Sequence, residues 1–342
     1  MVYERVSGVH RAGNGTVIFE KKPSILSYAA VVGKKEGDGP LGKYFDEIEA
    51  DAYFGKPSWE KAESENLRRS VMHTLEKGKF KPEDMDFAIS GDLLNQCISS
   101  GYALRGLKIP FFGVYGACST MAESIVLGSL IISGGGAKNI LCATSSHFCS
   151  AEKQFRTPLE YGGQRTPNAQ WTVTGSGSVV ISDGEGCPSI EAVTCGRIID
   201  LGVTDVGNMG AAMAPAFADT IKRHLNALQR DISYYDLVLS GDLGIIGKSI
   251  AKELLLKDGI DAGDKYDDCG AMIFDPNLQD THAGGSGCGC AASVLCGYIL
   301  PEMQKGNLKN VLFAATGALM SPTSTMQGES IPSISHAISF SY

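Results

Sequence analysis

The sequence predicts an α/β protein made of two repeated halves, with mixed sheets covered by helices. Two observations predict it. Short apolar, strand-like runs alternate with helix-length segments along the whole chain. The pattern also returns. Asp86-Phe-Ala-Ile-Ser-Gly-Asp92-Leu-Leu comes back 150 residues later as Asp236-Leu-Val-Leu-Ser-Gly-Asp242-Leu-Gly, and Gly113, Gly116, Lys138 and Asn139 match Gly284, Gly287, Lys309 and Asn310 at an offset of 171. The offset grows because the second half carries a longer connection around Asp258 to Asp280. A repeat this long exceeds the solenoid periods and points to two fused halves, 1–185 and 186–342.

Taken in order, Ile25 to Val32 is expected to be a strand, and the polar, glycine-rich stretch Lys34 to Gly42 an exposed loop. Leu67, Val71 and Leu75 at helical spacing predict an amphipathic helix over Trp59 to Lys77. Asp86 to Leu94 reads as a short strand ending in a Gly-Asp turn, where Asp92 and Asp242 would cap or turn the chain in the same way in each half. Ile109 to Tyr115 reads as a buried strand leading into a glycine-flanked turn with Cys118. The helix that follows, 118–133, holds one charge, Glu123; a helix apolar on nearly every side belongs in the middle of a core. Its counterpart is 288–304, and strands follow at Ile140 to Thr144 and Val311 to Thr316. Gly175-Ser-Gly-Ser-Val-Val-Ile-Ser is a glycine-led strand rather than a phosphate loop, since no helix follows it.

Composition narrows the function. A formal net charge of −8 argues against nucleic acid as the main partner, because phosphate binding needs a basic face. The ten cysteines suggest thiols rather than disulfides: several lie inside apolar runs, and no signal-like apolar segment precedes Lys22, so a reduced, intracellular setting is expected. No stretch has the 18 or more apolar residues of a membrane span. Cys288-Gly-Cys290 lacks a second pair at zinc spacing, and Asp264, Asp267 and Asp268 lack the ligand alternation of a calcium loop and read as a solvated acidic loop, so no metal site is expected. Cys118, at the start of a buried helix, is where unpaired N–H groups favour a thiolate or a bound anion.

A duplicated α/β chain with a cysteine heading a buried central helix resembles the thiolase-fold superfamily, which includes thiolases and ketoacyl synthases. The resemblance covers essentially the whole chain. It implies two βαβαβαββ halves packed as a five-layer α-β-α-β-α sandwich, and pairing into a homodimer through an edge strand. Further phrases, among them Gly91-Asp-Leu-Leu-Asn-Gln, Gly116-Ala-Cys-Ser-Thr, Ala143-Thr-Ser-Ser-His147, Gln154-Phe-Arg, Asp267-Asp-Cys-Gly and Ala315-Thr-Gly-Ala-Leu-Met-Ser-Pro, are similar to the sporulation branch of that superfamily in spore-forming Firmicutes. That likeness implies a non-enzymatic protein, peripheral on the spore inner membrane, with no cofactor. It would bind dipicolinic acid (pyridine-2,6-dicarboxylate), alone or as its calcium chelate, and work with stage V sporulation A membrane proteins in uptake into the developing spore and release at germination.

The residues agree with a lost enzyme. The synthase-type histidine aligns with Gly241 or Asp242, the asparagine with the neighbourhood of Cys288, and the second thiolase cysteine with Ala315 to Ala318, where there is none. No catalytic set is expected, and the alternative is an acyl-transferring enzyme using Cys118 with His282. For a flat aromatic dianion the candidate ligand residues are Cys118 and Ser119 at the helix start, His147, Lys153, Arg156 and Asp92. Arg156 could instead pair with Glu152 at i,i+4.

Overall fold

The computed structural model describes residues 8–155 and 165–342. The first half contributes strands β1 (Ser24–Gly33), β2 (Phe87–Asp92), β3 (Phe111–Gly113), β4 (Asn139–Ser146) and β5 (Gly175–Ser182). The second contributes β6 (Ser189–Thr194), β7 (Leu237–Ser240), β8 (Tyr266–Asp268), β9 (Asn310–Ala318) and β10 (Ser333–Ser341). The order across the molecule is β8-β7-β9-β10-β6-β1-β5-β4-β2-β3. Each half therefore repeats one topology. β5 lies antiparallel between β1 and β4, with β2 and β3 added in parallel; β10 lies antiparallel between β6 and β9, with β7 and β8 added in parallel.

The repeated sequence phrases have a physical cause. Asp86 accepts backbone N–H bonds from Lys138 (2.7 Å) and Asn139 (3.0 Å), and Asp236 accepts them from Lys309 (2.7 Å) and Asn310 (2.9 Å). In both halves one carboxylate fixes the start of the strand beside it, so the register of β4 on β2 and of β9 on β7 is set by the same device.

Helices α1 (Trp59–Gly78) and α4 (Met209–Leu228) cover the outer faces of the first and second half-sheets; α2 (Thr120–Ser133) lies between the halves and touches both. The segment 288–304 is α6 (Cys288–Val294), one π-helical turn (Leu295–Ile299) and α7 (Leu300–Gln304), and it also lies in the interior. The remaining helices used below are α3 (Phe148–Phe155) and α5 (Gly244–Lys257). The layers are thus helix, sheet, central helices, sheet, helix, as the thiolase-like reading expects. One core runs through both halves: Met121 and Ile125 of α2 share it with Leu239, Phe313 and Ile338.

Three local expectations are corrected. Lys34–Gly37 forms a helical turn, not an open loop, because Glu36 turns inward and accepts the Thr174 N–H at 2.9 Å. Ile109 to Tyr115 gives only the three-residue strand β3, exposed throughout, because it is the outermost strand and no element among the described residues covers it. Asp268 is fully buried rather than part of a solvated acidic loop, since it accepts from the Leu243, Gly244 and Ala271 N–H groups.

Candidate functional site

Cys118 sits in a 3-10 turn, Ala117–Ser119, that feeds α2. Ala117 adopts φ 49°, a left-handed conformation that costs a non-glycine residue about 1–2 kcal/mol. Local hydrogen bonds hold it there. Ser119 Oγ donates to Gly116 O (2.7 Å), and Thr120 Oγ1 donates to Ala117 O (2.6 Å). The other half closes over the turn at Gly317, where a Cβ would lie 2.0 Å from Gly116 O, so only glycine permits this approach.

The polar side chains nearest Cys118, Ser286 and Asp242, come from the second half. Cys118 Sγ is 4.0 Å from Ser286 Oγ. Ser286 Oγ and the Gly287 N–H each donate to Asp242 Oδ2 at 3.2 Å. Asp242 Oδ1 has no hydrogen-bond partner among the described residues, and its carboxyl lies against the Cys118 thiol. Cys288, whose Sγ donates to Ser145 O at 2.9 Å, completes the apolar cluster with Cys118, Leu93 and Ala151.

The electrostatics oppose a nucleophile. Burial, with the Asp242 charge next in importance, pushes the Cys118 thiol well above the usual cysteine range. Burial also pushes the Asp242 carboxyl up to about 7, and the Asp268 charge adds to it. The thiolate expected at a helix start is therefore not favoured here: desolvation and acidic neighbours outweigh the short turn's N–H groups. A carboxyl cannot do what an imidazole would, since as carboxylate it repels the thiolate and any oxyanion formed beside it.

The thiol opens on a cavity of about 210 Å³. Leu93, Phe155, Met209, Met320 and Met326 give it an apolar wall, and Tyr115, Thr172, Ser286 and Thr325 bring hydroxyls. Gln170 is fixed by its Nε2, which donates to Asp242 O (2.6 Å) and Gly285 O (2.9 Å); its Oε1 has no partner among the described residues. No Lys, Arg or His lines this cavity among the described residues.

Of the residues singled out in the sequence, Cys118 alone lines the cavity among those described. Ser119 is buried beneath the turn. Asp92 caps local backbone instead: Oδ1 accepts from Leu94 N (3.0 Å), and Oδ2 from Ser100 N (2.8 Å) and Ser100 Oγ (2.7 Å). The shared role expected of Asp92 and Asp242 is corrected, because in the second half Asp268 does the capping and leaves Asp242 to face Cys118. His147 is corrected as a ligand donor. Its Nδ1 accepts from Cys149 N (3.2 Å), so Nε2–H donates to Ala52 O (2.7 Å), and burial keeps the ring neutral. Lys153 points to the surface and pairs with Glu60 at 2.6 Å. Arg156 lies outside the described residues. His282, the base of the enzymatic alternative, contacts Thr166 O (2.8 Å) and Asp280 (3.0 Å) and does not line the cavity. Sequence reasoning missed Tyr115, Gln170, Met209 and Met320. Met320 lies in the quoted phrase Ala315 to Pro322, but nothing there marks it as cavity-lining, and the other three lie in none of the quoted phrases; four distant segments meet only after folding.

Fold and site together define a thiolase-like α/β chain whose buried cysteine faces a buried acid. Solved structures agree on the fold. The 3-oxoacyl-[acyl-carrier-protein] synthase III of Aquifex aeolicus VF5 matches 94% of this chain and 100% of its own, with TM-score 0.58 and 14% identity. FabH of Pseudomonas aeruginosa PAO1 covers 94% and 98% with TM-score 0.58 and 10% identity, and cerulenin-bound OleA of Xanthomonas campestris covers 100% of both chains with TM-score 0.57 and 13% identity. Within that fold the chain belongs to the Stage V sporulation protein AD (SpoVAD) family, whose model matches residues 13–341. It is 46% identical over 328 residues, 96% of this chain and 97% of the relative, to Stage V sporulation protein AD of Bacillus subtilis (strain 168).

Proposed function

We propose that this sporulation-family protein binds dipicolinic acid in the Cys118 cavity without chemical turnover. The observation that carries the reading is a thiol that stays protonated between Asp242 and Cys288, beside a mostly apolar cavity that no Lys, Arg or His lines among the described residues. Such a cavity suits a flat ring, and the hydroxyls of Tyr115, Thr172 and Thr325 supply donors for carboxylates. Family membership supports a role in moving this ligand into the developing spore and out at germination, with stage V sporulation A membrane proteins as partners. The protein would act as a peripheral component at the spore inner membrane; among the described residues no helix is long and apolar enough to cross a bilayer.

A homodimer belongs to the same proposal. β3 ends the sheet with Phe111 and Phe112 exposed at 41% and 48%, whereas β8, its counterpart, is covered, with Tyr266 at 3%. An uncovered apolar edge with unpaired backbone groups suits a second copy across a twofold axis.

The test is calorimetric titration of the full chain with dipicolinate, alongside Cys118→Ala and mass measurement after incubation with acetyl-coenzyme A. Saturable binding weakened by the variant, with no acyl adduct, is expected. An acyl adduct on Cys118 would overturn the non-enzymatic reading, and absence of binding would remove the ligand.

A further inference from the structure

Two loops of the second half form the mouth of the Cys118 cavity. One, 195–208, joins β6 to α4; the other, 319–332, joins β9 to β10 and contains a helical turn, Pro322–Met326. Val206 from the first and Met320 and Met326 from the second line the cavity. Backbone hydrogen bonds zip the loops together. Ile199 and Ser333 each donate an N–H to the other's carbonyl at 2.8 Å, and the Ile331 N–H donates to Val203 O at 2.8 Å. Ser330 Oγ adds a bond to Asp200 Oδ2 at 2.6 Å.

On this frame large apolar side chains face water. Ile198 is 64% exposed, Leu201 69% and Met326 80%, and Val206 is exposed as well. Met326 both lines the cavity and reaches solvent, so the cavity opens here. One exposed apolar side chain is ordinary, but several on one pinned frame mark an interaction surface. A frame already fixed by hydrogen bonds also loses little freedom when something docks on it.

The charge around these side chains is acidic. Asp200, Asp205 and Glu329 are exposed, and the one base in the two loops, Arg197, is paired with Asp219. Asp200 is held below the usual carboxylate range by the Ser330 hydroxyl and the Gly202 N–H, so it is ionised at neutral pH. An apolar centre with an acidic rim repels an anionic surface and fits the reverse pattern: apolar side chains along one face of a segment, flanked by Lys or Arg. We propose that these two loops dock a basic amphipathic segment of a partner protein, which then lies across the mouth of the Cys118 cavity. The surface stands on its own observations, whatever the cavity binds.

The probe is a fluorescent helical peptide of leucine and lysine, titrated into the full chain, with a leucine–glutamate peptide of the same pattern as charge control. Backbone hydrogen exchange locates the contact. Expected are tighter binding of the lysine peptide, slowed exchange in 195–208 and 319–332, and no slowing in α1. Leu201→Ser/Met326→Ser, at side chains that pack in no core, should weaken binding by about tenfold or more through loss of two apolar contacts. Asp205→Asn/Glu329→Gln should weaken it and flatten its dependence on salt. Equal binding of the two peptides would overturn the basic class. Unchanged affinity in the serine variant, or protection away from the two loops, would overturn the site. Sedimentation of the chain alone and with neutral phosphatidylcholine vesicles tests the other occupants. Self-association or vesicle binding that the serine variant abolishes would give this face to a second copy or to a bilayer and overturn the proposal.

Discussion

Replacing Asp242 by asparagine tests the claim that an acid is buried, largely protonated, beside Cys118. The carboxyl is fully buried, accepts from Ser286 Oγ and Gly287 N–H through one oxygen, and leaves the other beside Cys118. It titrates near 3.8 when exposed and is pushed up to about 7 in the fold. Between those values the folded chain holds a proton that the unfolded chain has released, so stability falls as pH rises through that window and levels off above it. At 1.36 kcal/mol per pH unit, the rise corresponds to about 4 kcal/mol lost by pH 8. Asparagine keeps an oxygen acceptor for Ser286 and Gly287 but cannot ionise. The difference in stability, variant minus wild type, should be small below pH 4 and grow to about 4 kcal/mol at pH 8. Asp268 and Glu36, pushed up to about 6 and about 7, titrate in the same range but are present in both chains. Removing the Asp242 charge eases ionisation of Asp268 and adds a smaller change of the same sign. Urea unfolding followed by circular dichroism at several pH values gives the difference curve. A flat difference between pH 4 and 8 would mean that Asp242 ionises as an ordinary surface acid, and the account of a centre neutralised by burial would fail.

Two other predictions concern the frame. Asp86→Ala and Asp236→Ala should each cost about 1 kcal/mol in urea unfolding, because each carboxylate accepts two strand-start N–H groups; a loss from one and none from the other would contradict their equivalence. Phe112→Lys, at a side chain 48% exposed, should leave the fold intact and reduce the sedimenting species from dimer to monomer; an unchanged dimer, or a wild type that is already monomeric, would remove β3 as the pairing edge.

Much of the frame could be read directly. The doubled Asp86/Asp236 phrase marked strand starts because one hydrogen-bonding solution is used twice, and the all-apolar stretch after Cys118 could only be interior. The exposure of β3 could not be read, because three apolar residues look the same whether a neighbour covers them or the sheet simply ends. The site was less legible still. Asp92 and Asp242 occupy matching places in the repeat, yet one caps backbone and the other faces a thiol, and the difference lies in Asp268, which satisfies the second-half turn from another strand. His147 follows a strand end, as a ligand residue would, but both ring nitrogens are taken by Ala52 and Cys149.

By itself, then, the sequence determined the duplicated α/β architecture, the interior helices and the position of Cys118, because these follow from local periodicity and repeated hydrogen-bonding phrases. Only the tertiary structure decided that the thiol is protonated, that Asp242 is its neighbour, and that Tyr115, Gln170, Met209 and Met320 form one cavity. Desolvation and proximity depend on which distant segments meet, and no local pattern records that.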